Sequence, residues 1–149
     1  VKRFRFDLQK LLELRAYAER DAELNLARAL GEAGGIQERL RAVAQERVAV
    51  AAERFKGGRS VAEIKSVDLY LLRLDHTKET LLDAAAKAEL KVAQLREVFI
   101  EASRERRVLD KLREKRFSEY RKNASREEIK TLDDLSSGTR ARQSALEGI

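Results

Sequence analysis

The sequence predicts an all-α protein: a long two-helix antiparallel coiled-coil hairpin with a short C-terminal helical extension, forming one elongated domain over residues 1–149. Three observations carry this. The chain has no proline, and Ala, Leu, Glu, Arg and Lys dominate while aromatics make up only 5%, a balance that favours long helices over a packed globule. Apolar residues recur every seven positions in two long stretches, whereas no stretch sustains the period of two that a strand needs. Only one strong break, Lys56-Gly57-Gly58-Arg59-Ser60, separates the stretches.

Helix one is expected from about residue 3 to 56. Its seam reads Leu8, Arg15, Ala22, Ala29, Ile36, Val43 and Val50, with a companion row Leu12, Glu19, Leu26, Ala33, Leu40, Arg47 and Arg54. Near the end the stripe drifts to Val48, Ala51 and Phe55, as a 3.6-residue helix drifts against a strict heptad. Gly31, Gly34 and Gly35 weaken its middle, each by about 1 kcal/mol relative to Ala. They predict a bend, a soft spot or close backbone contact with helix two; a weak stretch that the helix simply tolerates is the alternative.

The turn, residues 57–60, has its own chemistry. Gly57 and Gly58 accept positive φ and end helix one. Ser60-Val61-Ala62-Glu63 fits a capping box that starts helix two. So short a connection makes the helices antiparallel neighbours. One continuous helix dimerising with a second copy is the competing arrangement, and it would place two glycines mid-helix.

Helix two, about 61–122, carries Val67, Leu74, Leu81, Ala88, Leu95, Ala102 and Leu109 at intervals of seven, with Ile64, Leu71, Lys78, Ala85, Val92, Phe99 and Arg106 beside them. At 1.5 Å per residue the two helices span roughly 80 and 90 Å, as a self-complementary hairpin requires. After Asn123 the pattern fades. Ser125-Arg126-Glu127-Glu128 resembles a cap, and Ile129, Leu132 and Leu135 suit a short helix within the extension, about 125–149.

Charge is distributed unevenly. Residues 104–126 hold ten basic and four acidic groups, so their excess equals the net +6 of the whole chain. With a turn near residue 58, position i faces roughly position 116 − i. Arg104, Arg106, Arg107, Lys111, Arg113 and Arg116 then lie beside Lys2, Arg3, Arg5 and Lys10 as a basic pole. The i,i+4 pairs Glu101/Glu105 and Asp110/Glu114 are like-charged, so internal salt bridging explains the run less well than an acidic partner does. The turn end is near neutral and carries Val67, Leu69, Tyr70, Leu71, Leu72 and Leu74, more apolar residues than a two-helix seam covers. They form either a docking patch or extra packing against Val48 to Phe55.

Catalytic signatures are missing. With no cysteine there is no thiol nucleophile, disulfide or thiolate metal site, and the Gly-Gly pair lacks phosphate-loop spacing. His76 is the only histidine and reads as a surface residue; metal and cofactor sites are not expected, nor is enzyme activity. No apolar run approaches the roughly 20 residues of a spanning helix, and charges interrupt the N-terminal segment, which reads as a soluble cytoplasmic protein.

The opening Phe4-Arg5-Phe6-Asp7-Leu8, followed by Leu11-Leu12 and Arg15, resembles that of the flagellar export FliJ family. So does the order of an Ala/Leu/Glu-rich helix, a Gly-containing turn, Tyr70, Leu74 and Leu81, the stretch Leu112-Arg113-Glu114-Lys115, and the acidic pair Asp133-Asp134. Two features depart from the family pattern: Val67 stands where an aromatic is common, and the Gly31 to Gly35 cluster is additional.

The resemblance implies a coiled coil similar to that of the γ subunit of rotary ATPases, cytoplasmic and peripheral to the inner-membrane export apparatus. It implies binding to the hexameric export ATPase, to the membrane export gate and to export chaperones, without catalysis. Phe4, Phe6, Leu8, Leu12 and Arg15 match the family opening and, with Arg104, Arg106, Arg107, Lys111 and Arg113 of the basic pole, are candidate ATPase contacts. Tyr70, Leu74 and Leu81 are candidate gate contacts. The alternatives are a central-stalk rod of a rotary or virulence-secretion ATPase, and a basic nucleic-acid-binding arm; no basic-aromatic motif supports the latter.

Overall fold

A computed structural model describes residues 2–148 and contains two α-helices, α1 (Gln9–Arg54) and α2 (Val61–Glu147), with no strand among the described residues. Contacts divide the chain into two units: Tyr17–Ser103, which holds the turn, and residues 2–16 together with 104–148. In both, α1 or the segment before it runs antiparallel to α2.

In the Tyr17–Ser103 unit the seam is the heptad seam of the sequence. Ala22, Ala29, Leu74 and Ala85 are buried, and Ile36, Val43, Val50, Leu81, Ala88 and Leu95 are half-buried. A pair of helices has only one such layer, so no large side chain is fully enclosed among the described residues. Ion pairs edge the seam: Arg47 to Asp75 at 2.6 Å, Arg54 to Asp68 at 3.0 Å and Glu32 to Lys91 at 3.4 Å. Ser103 donates to Glu19 at 2.7 Å, which explains how a serine is buried there.

The residue numbers of these partners add up to about 122, not 116. The link is the reason. The end of α1 tightens into i→i−3 bonds at Phe55 and Lys56, and the chain then needs residues 57–60 to cross over, so Arg54 meets the second turn of α2 and not its first. Gly58 sits at φ 81° and supplies the reversal. The capping box forms: Glu63 N–H donates to Ser60 Oγ at 3.3 Å, and Ser60 N–H donates to the Glu63 carboxylate at 2.7 Å. Glu53 also gathers Lys56 and Arg59, which ties the link to the last turn of α1.

Gly31, Gly34 and Gly35 lie within α1 without interrupting it, and a Cβ built on any of them would meet nothing within 4 Å. Close backbone contact with helix two is therefore not their role.

In the second unit α1 begins at Gln9, six residues later than its periodicity predicts, with Leu12 N–H donating to Leu8 C=O at 2.9 Å in the first turn. Residues 2–6 stay non-helical because Phe4 packs on Phe117 and Tyr120 of α2, and the Tyr120 hydroxyl donates to the Lys2 carbonyl. Leu12 and Leu109 form the buried centre. At Asn123–Ser125, where the sequence suggests a break, α2 continues to Glu147 as a solvent-exposed helix. No proline interrupts it, and it runs on without a packing partner through the weak helix formers Thr131, Asp133, Asp134 and Ser136 to Thr139.

Candidate functional site

Two surfaces carry the candidate residues, each within one unit. The first surrounds the N-terminal segment. Phe4 meets Phe117 edge-on at 5.2 Å between ring centroids and lies 5.5 Å from Tyr120, a geometry favoured by the ring quadrupoles. This cluster pins residues 2–8 against α2 and leaves a groove bordered by Arg3, Phe6, Asp7, Leu8, Leu112 and Arg116. A neighbouring groove runs past Phe6, Lys10, Glu13 and Arg113. The surface offers aromatic edges between guanidinium groups, suited to an acidic partner that also presents apolar side chains.

The candidate residues separate into two groups here. Leu12 is 6% exposed and belongs to the core. Arg15 pairs with Glu105 at 2.5 Å, and Arg106 with Asp110 at 3.4 Å along α2, so internal ion pairs do explain part of the basic run. Arg104 is also engaged. Phe4 and Phe6 are half-buried and Leu8 is 39% exposed. Arg107, Lys111 and Arg113 are exposed and make no ion pair among the described residues. Sequence reasoning did not single out Phe117 and Tyr120, which organise the surface. Their i,i+3 spacing inside the basic segment was the available signal.

The second surface lies near the turn. Leu74 is buried, Leu81 is half-buried, and Tyr70 lies along the seam with its hydroxyl donating to Glu46. That bond to a carboxylate raises the Tyr70 pKa, because ionising the phenol would lose the donor and set two negative charges together. Leu69 and Leu72 project outward, 67% and 65% exposed, and Val48, Phe55 and Val61 are more exposed still. The apolar surplus is thus divided: Val67, Leu71 and Leu74 join the seam, while Leu69 and Leu72 remain on the surface. Beside them the Arg47 guanidinium holds Asp75 below the usual carboxylate range, and Lys56, with Arg59, does the same for Glu53.

Neither surface arranges a nucleophile against a base, and no cluster of metal-ligating side chains occurs among the described residues. No described helix is long and apolar enough to cross a membrane.

A family model described as flagellar FliJ protein matches residues 4–145, nearly the whole chain. No curated protein and no solved structure matches it.

Proposed function

The chain belongs to the flagellar FliJ protein family and is by that membership a component of flagellar export; from that premise we propose that it acts as a non-catalytic coupling element of the type III export apparatus. In this reading it binds the export ATPase hexamer and stimulates hydrolysis, and it contacts the export gate and export chaperones. It is peripheral to the membrane through those partners.

The observation that supports the ATPase contact most directly is the aromatic and basic surface of residues 2–8 and 104–123, where Arg107, Lys111 and Arg113 are exposed and make no ion pair among the described residues. Cations without internal partners lose little when an acidic surface engages them, and they steer its approach. For the gate, the outward Leu69 and Leu72 are better contacts than Leu74, which the seam already covers.

The test is hydrolysis by the cognate export ATPase titrated with the purified protein. Stimulation that falls at least about tenfold in apparent affinity for the Arg107→Glu, Lys111→Glu, Arg113→Glu variant, and that weakens with salt, supports the reading. No stimulation by the wild-type protein at saturation refutes it. Leu69→Ala with Leu72→Ala should leave stimulation intact while weakening gate binding; loss of both together would refute the separation of the two surfaces.

A further inference from the structure

Within the unit of residues 2–16 and 104–148, α2 has two unlike sides. One faces α1 and the N-terminal segment: Leu109 is buried, Leu112 and Tyr120 are half-buried, and Arg116 and Asn123 border the groove beside residues 2–8. The other carries a row of cations. At 3.6 residues per turn, Arg107, Lys111, Lys115, Lys122 and Arg126 fall within about 100° of arc, roughly 140° from the mean direction of Leu109, Leu112 and Tyr120. None of the four acidic residues of 104–126 shares that arc: Glu105 and Asp110 lie about 60° outside it, and Glu114 and Glu119 flank it at about 20° on either side. All five cations are exposed and make no ion pair among the described residues. Arg104 falls on the same arc but is already engaged.

Val108, Ser118 and Ser125 stand between the cations, Ile129 closes the row, and the same line then meets Asp133. Val108 and Ile129, 66% and 57% exposed, are its only apolar side chains, roughly 30 Å apart. A protein partner needs a desolvated apolar or aromatic centre, and lysine is depleted at such centres. A single-stranded nucleic acid needs rings on which bases stack, but Phe117 and Tyr120 lie about 130° or more from the middle of the row. The row instead fits a flat surface of mobile negative charge. Four to eight basic residues on an exposed helix are enough to hold it at an anionic bilayer, and long lysine and arginine stems reach headgroups without drawing the backbone in.

We infer that this face of α2 lies along an anionic phospholipid surface, with the helix axis parallel to the bilayer and the row spanning roughly 30 Å of it. The contact is electrostatic and does not insert, since the row has no apolar stripe to bury and no described helix is apolar enough to cross. It adds a direct membrane contact to those made through partners in the proposed function. Arg107 and Lys111 are shared with the surface offered to the ATPase. Arg113 and the cluster of Phe4 with Tyr120 lie on the other side of the helix and stay open when lipid covers the row.

Cosedimentation of the full chain with extruded vesicles tests it. At about 50 mM salt the chain should pellet with phosphatidylcholine vesicles containing about 30% phosphatidylglycerol, stay in solution with pure phosphatidylcholine, and leave the anionic vesicles at about 0.5 M salt. Lys115→Glu with Lys122→Glu should weaken vesicle binding at least about tenfold, whereas Arg113→Glu with Arg116→Glu, the same change of charge on the side of the N-terminal segment, should weaken it no more than about threefold. All four residues are exposed, and far-UV circular dichroism checks that each variant keeps its helices. The assay contains no ATPase, so it succeeds or fails independently of the proposed coupling role. No binding to anionic vesicles at low salt, equal binding to pure phosphatidylcholine, or equal losses from the two pairs of reversals would each overturn the proposal. Tighter binding to a duplex DNA of about 20 base pairs at the same salt would overturn it too, by assigning the row to nucleic acid.

Discussion

Replacing Gly31, Gly34 and Gly35 together by alanine should stabilise the protein considerably. All three lie inside α1 with ordinary helical φ, and a Cβ at each would enter open space, so no steric cost offsets the gain. Alanine freezes less backbone freedom on folding and is favoured by about 1 kcal/mol per site in a helix interior. Three sites give roughly 2–3 kcal/mol, which in a chain of this size raises the melting temperature by about 5–10 °C. Thermal unfolding followed by far-UV circular dichroism, with a urea titration beside it, measures this. An unchanged or lowered melting temperature would refute it. If the cluster is a functional soft spot, the same variant will be more stable and yet stimulate the ATPase less; equal stimulation would leave the glycines as a tolerated weakness.

Two further perturbations probe the turn unit. Ser60→Ala removes the acceptor for Glu63 N–H and should cost about 1 kcal/mol by urea denaturation; a loss below a few tenths would show that the hydroxyl contributes little to the link. Asp75 has its pKa lowered chiefly by the hydrogen bond from Arg47. A depressed carboxyl contributes stability above its unfolded pKa, near the ordinary aspartate value of 3.8, and that contribution is lost as pH falls through the folded value. Asp75→Asn should therefore flatten the acid limb of the stability curve below about pH 4 while changing little of its shape near neutrality; an unaltered acid limb would contradict the assignment.

Much of this architecture was legible because it is periodic. Ala22, Ala29, Leu74, Ala85 and Leu109 are buried where a repeat of seven puts them, and the box at Ser60 and Glu63 forms as spelled. What could not be read depends on partners distant in sequence. The periodicity of the opening residues suits a helix, yet Phe4 gains more from Phe117, a ring over a hundred positions away, than from another turn. The fading stripe after Asn123 suggests an end, but periodicity reports packing, and with no proline to stop it the helix continues unpacked to Glu147. At the candidate surface, composition located the basic run but could not tell which cations are already spoken for. Arg15 and Arg106 are; Arg107 and Arg113 are not.

The alanine-rich seam between Tyr17 and Ser103 bears on how the two helices keep count. Small side chains make shallow knobs, so sliding one helix past the other by a heptad would exchange one alanine or leucine for another at little cost in fit. The charges do not forgive the slip. Arg47 and Arg54 stand seven apart, as do Asp68 and Asp75. Displaced by seven in either direction, the ladder keeps one Arg–Asp rung and breaks the other, and Glu32 trades Lys91 for Ala84 or Val98. Each exposed rung is worth only about 0.2–1 kcal/mol, so the register works as a vernier: weak marks, spaced to agree at one setting.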